Sequence, residues 1–134
     1  MKTDQRVNNL QFQELTLDLV NLLLKVLLYK LNYLEEVESL TQFVLEAAGE
    51  NAEFPNAAAV DYLHAVGLLS FSYMFARIAN AAKDKDGEFY QNKLALARYF
   101  THRILPELAL RITKVKAGCE VVMNFSEDYF TTQA

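Results

Sequence analysis

The chain has 134 residues, of which 52% are hydrophobic, and it contains only 4 glycines and 2 prolines. This composition excludes a disordered chain, and the scarcity of helix breakers favours long helices within a single domain, residues 1–134. The net charge of −4 argues against a general nucleic-acid binder.

The first predicted element is a helix over residues 7–48, a segment without Gly or Pro. Polar side chains recur along it at intervals of three and four, which keeps one side of a helix in water. They are Gln11, Glu14, Asp18, Asn21, Lys25, Asn32, Glu35, Ser39, Gln42 and Glu46, with Leu28 as the exception. Between Leu15 and Tyr29 the apolar face is wide, which predicts contact with more than one neighbour. A break near Asn32 stays open, because one straight helix of this length is long for so small a domain.

The second predicted helix covers residues 57–82, after a connection over residues 49–56. Gly49 is expected to close the first helix in the left-handed conformation, and Asn56 to cap the second. The few polar residues of the second helix fall at scattered angles, so we expect a helix that is buried all round. Its many small residues allow neighbouring helices to approach closely.

The third predicted helix covers residues 88–124, with Asp86 as its N-cap. One helical register runs through its apolar positions, which are Tyr90, Leu94, Ala97, Thr101, Ile104, Leu108, Ile112, Val115, Cys119 and Val122. Because this register continues past Pro106, we expect one helix kinked at the proline rather than two helices. A short turn capped by Ser126 should then let Tyr129 and Phe130 hold the tail against the domain.

These elements predict an all-α fold, an antiparallel bundle of three long helices, or four if the first or the last is broken. Residues 1–56 carry 4 basic and 9 acidic side chains, whereas residues 88–124 carry 6 basic and 3 acidic ones. The simplest interpretation is that acidic and basic helices lie side by side. The basic residues could instead meet an anionic ligand; they include Arg98, Arg103, Arg111, Lys114 and Lys116.

Compartment signals are few. Cys119 is the only cysteine, so no internal disulfide can form, which fits a reducing compartment. The N-terminal stretch lacks the apolar core of a signal peptide, and no uncharged run approaches the ~20 residues of a membrane span. We therefore expect a soluble, cytoplasmic protein.

The inventory of catalytic side chains is thin. The chain has two histidines, and each has a carboxylate nearby in the sequence: His64 follows Asp61, and His102 precedes Glu107. A di-metal site in a helical bundle needs Glu-x-x-His motifs, and the chain contains none. Cys119 falls on a core face, which predicts a buried structural thiol. No glycine-rich phosphate loop and no activated nucleophile are evident. We therefore assign no catalytic, cofactor-binding or metal-binding residue.

Asp61 and Arg77 stand out because they lie on an otherwise apolar helix. A charged side chain that is buried needs a partner. We expect both to be structural polar anchors that pair with another helix. The alternative is that Arg77 binds the carboxylate or phosphate of a substrate.

A set of short motifs resembles a known family over residues 57–130. The matching residues are Asp61-Tyr62-Leu63, Gly67, Phe75-Ala76-Arg77, Phe89-Tyr90, Lys93-Leu94, Ala97-Arg98, Phe100, Leu105-Pro106-Glu107, Lys116-Ala117-Gly118 and Phe130. In this order and spacing they resemble the C-terminal domain of the larger bacterial acyl-CoA dehydrogenases. One departure is Phe75, where that family commonly has Trp; the chain has no Trp.

The resemblance implies a parent flavoprotein of fatty acid metabolism, an FAD-dependent oxidoreductase acting on acyl-CoA. Its glutamate base, flavin contacts and CoA site belong to parts upstream of this domain, so none of those residues carries over. The chain is then expected to be an accessory and assembly domain, inactive alone and without its own cofactor. Its partners would be the upstream catalytic domain, further copies of itself, or both.

A second hypothesis is a free-standing helical protein that forms a homodimer through its apolar faces. A reading frame that continues upstream for several hundred residues would exclude it, whereas a frame beginning at Met1 would favour it. Both hypotheses predict self-association, because the apolar faces of the first two helices exceed what three helices can cover.

Overall fold

The structure, a computed structural model, describes residues 32–126 and 129–130. Within them lie helix α1 (residues 32–50), α2 (Phe54–Ala82), α3 (Glu88–Tyr99), a π-helical segment (Phe100–Ile104), α4 (Glu107–Lys116) and the short α5 (Glu120–Met123). No strand occurs among these described residues, so the all-α prediction is confirmed for them. The polar seam before Asn32 and the wide apolar face over residues 15–29 lie outside the described residues. The antiparallel arrangement of the helices stays a prediction.

The polar side of α1 is where the sequence predicts it. Each predicted polar position from residue 32 onward is exposed; these are Asn32, Glu35, Ser39, Gln42 and Glu46. Val37 and Leu40, on the other side of the helix, are buried. The spacing of three and four therefore does separate a solvent face from a core face here.

The predicted helix ends need correction at three places. Gly49 lies inside α1 and does not take a positive φ, which among the glycines only Gly87 and Gly118 do. Helix α2 begins at Phe54, so Asn56 lies in its first turn, and its side-chain amide donates to Glu53. Helix α3 has Gly87 rather than Asp86 at its N-cap, with φ 114°.

The described chain divides into two compact units, which are described separately. One unit comprises residues 33–69 with the chain from Pro106 onward. Its buried apolar residues come from α1, α2 and α4 and from the turn after α4; they are Val37, Leu40, Phe54, Ala58, Ala65, Leu108, Ile112, Val115 and Cys119. Phe43 of α1 meets Phe54 at the start of α2 edge-to-face, with ring centroids 5.5 Å apart.

Among the described residues, the other unit comprises Asn32 and Ser70–Leu105. Its core joins the last turns of α2 to α3 through a cluster of four buried residues, Ala79, Ala82, Leu94 and Ala97, with Phe75 and Tyr90 packed against it. The ring of Phe75 also stacks on Phe100, with centroids 4.4 Å apart. Small residues on α2 let the larger Leu94 fill the space between the two helices.

The segment around Pro106 is helical but is not one regular α-helix, and the kink at the proline stays a prediction. Tyr99, Phe100, Leu105 and Pro106 keep right-handed helical backbone angles. Helix α3 ends at Tyr99, a π turn follows in which the amide of Leu105 donates to the carbonyl of Phe100 at 2.9 Å, and α4 begins only at Glu107. Proline lacks an amide hydrogen and crowds the carbonyl four residues before it, and a wider turn accommodates both defects. The extra residue moves the buried position from the predicted Ile104 to Leu105, which is buried while Ile104 is only partly so.

The third predicted helix also ends earlier than expected. Helix α4 stops at Lys116, because Gly118 takes a left-handed φ of 87° and turns the chain before α5. Val122, predicted to be in the core, is exposed after this turn. Tyr129 and Phe130 are exposed as well, so they do not hold the tail down as predicted.

Helix α2 is not buried all round. One side carries buried residues, whereas another carries large exposed apolar side chains, among them Val60, Leu63, Phe71 and Met74. The expectation of a fully buried helix is therefore wrong. Helix α2 therefore exposes an apolar side on the surface of the described chain.

The core of α3 gives a first test. Leu94 is 1% exposed and Leu96, on the same helix, is 48% exposed. Replacing Leu94 with Ala should lower the free energy of unfolding by about 2–5 kcal/mol, because it leaves a cavity. Leu96→Ala is the matched control and should change it by less than about 0.5 kcal/mol. Urea unfolding followed by circular dichroism measures both, and equal losses would contradict the assigned core.

The turn after α4 gives a second test. Gly118→Ala places a Cβ at a positive φ and should cost about 1–2 kcal/mol of stability. Gly49→Ala is the control, because Gly49 is helical and no described atom lies within 4 Å of the added Cβ. The control should be neutral or gain up to about 1 kcal/mol in thermal or urea unfolding. A Gly118→Ala variant as stable as the control would show that the chain does not turn there.

Candidate functional site

The strongest polar contact between helices joins Asp61 of α2 to Arg111 of α4. The Nη1 atom of Arg111 donates to Oδ1 of Asp61 at 2.8 Å. Both side chains are mostly buried, with 23% of Asp61 and 21% of Arg111 exposed. Arg111 reaches this position because it lies beside Leu108 and Ile112, which form the buried side of α4. Asp61 thus finds the partner on another helix that its apolar surroundings demand.

Two further charges surround this pair. Lys114 Nζ lies 4.0 Å from Asp61 Oδ1, and Glu107 Oε2 lies 4.0 Å from Arg111 Nη2. Two cations and two carboxylates therefore balance one another. Arg111 and Lys114 are directed at a carboxylate of their own chain, so this cluster offers little uncompensated positive charge to an anionic ligand. The Nε atom of Arg111 is buried and has no hydrogen-bond acceptor among the described residues.

Arg77, the other predicted anchor, has different surroundings. It is exposed, and its guanidinium carbon lies 5.7 Å from the centre of the Tyr73 ring, one turn earlier in α2. Such a cation–π contact at an exposed site contributes about 0.5–1 kcal/mol. The structural-anchor role of both residues stays a prediction.

The two histidines of the chain lie on α2 and in the π-helical segment. Both side chains, His64 and His102, are exposed. In the part of the chain that the structure describes, no three His, Cys, Asp or Glu side chains are grouped as metal ligands.

Cys119 is buried, as predicted. The side-chain amide of Asn51 donates to its Sγ atom at 3.2 Å. This contact ties the connection between α1 and α2 to the turn after α4. The sequence offers no signal for Asn51, because a polar residue in a loop has many alternatives. A buried, hydrogen-bonded thiol is typical of a structural cysteine rather than a reactive one.

A second polar link joins α1 to α2. The hydroxyl of Thr41 donates to the carbonyl of Val37 at 2.7 Å, and its oxygen lies 2.9 Å from the hydroxyl of Tyr62. Since Thr41 has a single hydroxyl hydrogen, Tyr62 donates to Thr41. The polar groups facing this interface thus satisfy one another.

The charged contact can be tested with a matched arginine. Asp61→Asn or Arg111→Ala should each cost about 1–3 kcal/mol, because each leaves a mostly buried charge without its partner. The double variant should cost less than the two single losses together. Arg77→Ala is the control and should change stability by less than about 1 kcal/mol. Urea unfolding measures all four, and a loss for Arg77→Ala equal to that for Arg111→Ala would contradict these assignments.

No helix within the described residues is long and apolar enough to cross a membrane. No curated protein and no solved structure matches the chain. The sequence model of one protein family, acetyl-CoA dehydrogenase C-terminal like, matches residues 26–126. The match begins well before residue 57, so it includes α1 as well as the motifs from Asp61 to Gly118. Because it covers most of the 134 residues, the chain belongs to the acetyl-CoA dehydrogenase C-terminal-like family.

Proposed function

We propose that this chain acts as an accessory and assembly domain that accompanies the catalytic part of an FAD-dependent acyl-CoA dehydrogenase. The observation that carries the proposal is the family match over residues 26–126. The chemical step, in this proposal, takes place on residues outside this chain. The domain contributes packing surface to the enzyme and supplies no catalytic side chain.

The surroundings of the polar residues support an accessory role. Asp61 and Arg111 are engaged with one another, and Cys119 is buried against Asn51. These residues stabilise helix contacts within one unit of the chain. A catalytic base or nucleophile needs instead an accessible position beside a bound substrate.

The residues that line a depression on α1 do not fit FAD. A depression of about 520 Å³ along α1 is lined by Glu35, Glu38, Ser39, Thr41 and Gln42. Its two carboxylates would repel the diphosphate of FAD, and it lacks the glycine-rich loop or basic side chains that hold a diphosphate. We therefore assign the flavin, and any reaction step, to the parent enzyme's other parts. A cytoplasmic location is part of the proposal and is supported by the single, buried cysteine.

A free-standing helical homodimer is the second candidate function. The exposed apolar side chains of α2, including Leu63 and Phe71, favour it. A soluble protein keeps such a surface when another molecule covers it. The upstream reading frame distinguishes the candidates, because a catalytic domain encoded there supports the first and excludes the second.

The absence of activity is directly testable. The purified 134-residue chain should show no flavin absorbance after incubation with FAD. It should also give no dehydrogenase turnover with short-, medium- or long-chain acyl-CoA in the presence of an electron acceptor. A known acyl-CoA dehydrogenase assayed in parallel is the positive control. Stoichiometric flavin binding together with turnover would overturn the accessory role.

A further inference from the structure

The exposed side of α1 is acidic. Helix α1 contains no lysine or arginine, and Glu35, Glu38 and Glu46 lie on its exposed side. Two exposed leucines, Leu34 and Leu45, lie beside these carboxylates. At 3.6 residues per turn, the five positions fall within about 120° of the helix circumference. We call these five residues the acidic face, and all of them belong to one compact unit.

The outer side of α3 carries the opposite charge. Phe89, Lys93, Leu96 and Tyr99 also fall within about 120° of the helix circumference, and Arg103 follows one turn later, in the π-helical segment. Phe89 is 65% exposed and Tyr99 is 56% exposed, and Leu96 is exposed as well. We call these five residues the basic face. None of them is acidic, and all belong to the other compact unit.

The charges of both faces lack an ion-pair partner in the part of the chain that the structure describes. The ion pairs found there involve only Asp61, Glu107, Arg111 and Lys114. The Nζ atom of Lys93 lies 5.2 Å from the centre of the Phe89 ring, a contact that holds the side chain but does not compensate its charge. Both faces therefore keep their full charge for a partner of opposite sign.

The two faces complement one another in charge and in apolar side chains. Carboxylates on one face can pair with the cations on the other, while the exposed leucines of α1 cover the exposed rings of α3. The depression of about 520 Å³ along α1 adds a feature of shape, because Glu35 and Glu38 are among the residues that line it. A long cationic side chain such as Lys93 or Arg103 fits a depression that has two carboxylates in its wall.

We propose that the basic face of one copy of this chain docks on the acidic face of a second copy. The inference specifies the self-association that forms one part of the proposed assembly role, and in that respect it rests on the proposed function. The occupant is a second copy because the chain itself carries the surface that complements each face. Since two different surfaces meet, the contact is heterologous, and each member of a pair keeps one face for a further copy.

The nature of the contact determines how it responds to salt. Exposed ion pairs are individually weak, so the association depends on concentration. Salt screens such charges, and the Debye length falls to about 8 Å at physiological ionic strength. We therefore expect the association to weaken as salt is added.

Analytical ultracentrifugation of the full chain tests the contact. The apparent mass should rise above the 15.3 kDa of one chain as the concentration increases. Lys93→Glu with Arg103→Glu, or Glu35→Lys with Glu38→Lys, should raise the dissociation constant at least about tenfold, because like charges then face one another. A variant with all four changes should associate as the unmodified chain does, because both faces change sign and the net charge stays −4.

Two control variants separate the faces from the net charge. Lys83→Glu with Lys116→Glu, and Asp84→Lys with Glu120→Lys, change the net charge by the same amounts at exposed positions outside both faces. Both should associate like the unmodified chain, and circular dichroism checks that every variant is folded.

Three outcomes would overturn the proposal. The first is a chain that stays monomeric at millimolar concentration, which would leave the upstream catalytic domain as the candidate partner of both faces. The second is a control variant that loses association as fully as the face variants do. The third is a folded variant with all four changes that fails to associate.

Cross-linking tests the contact on the unmodified chain and needs no variant to fold. A carbodiimide condenses a lysine amine with a carboxylate in contact with it, and a mixture of unlabelled and isotopically labelled chains distinguishes links between copies. We expect mixed-isotope peptides in which Lys93 is joined to Glu35 or Glu38. Mixed peptides that join only other residues, or none at all, would refute the docking. Flavin binding and turnover are measured separately, so failure of the accessory role leaves these outcomes readable.

Discussion

The packing of the chain depends on small side chains along the inner face of α2. Ala58, Ala65, Ser72 and Ala79 are buried and recur every seven residues, so they return to the same side of the helix every two turns. Small residues at such positions let neighbouring helices lie close. Several large apolar residues of α2 are exposed instead, among them Val60, Leu63, Phe71 and Met74, although Phe54 is buried. The exposure of these residues departs from the usual pattern, in which the largest apolar side chains are buried.

A face of alanines needs large partners, and other helices supply them within each unit. Leu94 fills the space beside Ala79 and Ala82 in one unit. In the other, Leu40 and Leu108 are fully buried. Each of these leucines makes many small dispersion contacts that a sparse alanine surface could not provide alone. Leucines outside α2 therefore fill space that its small residues leave open.

The helical period predicted much of this arrangement, because burial follows a simple spacing. Leu94, Leu108, Ile112 and Val115 are buried as the register requires. The one-residue shift to Leu105 was not predictable from spacing, since it depends on how the backbone relieves the clash before proline. The predicted helix ends were wrong for another reason. The preference of a residue for a capping position is weak, and the packing of buried side chains near the helix end can outweigh it. Phe54, buried against Phe43, draws the start of α2 ahead of its predicted cap.

For the candidate site, the sequence predicted that Asp61 needs a partner but did not identify which residue it is. An acidic residue on an apolar helix demands a partner, but any of six basic residues in the third segment could have supplied it. The choice of Arg111 also has a consequence for the surface. Leu63 follows Asp61 by two residues, about 200° around the helix, so a contact that holds Asp61 against α4 turns Leu63 outward. Turning α2 away from α4 would leave a mostly buried charge without its partner, so the ion pair favours the orientation of α2 that keeps Asp61 beside Arg111. In that orientation Leu63 is exposed.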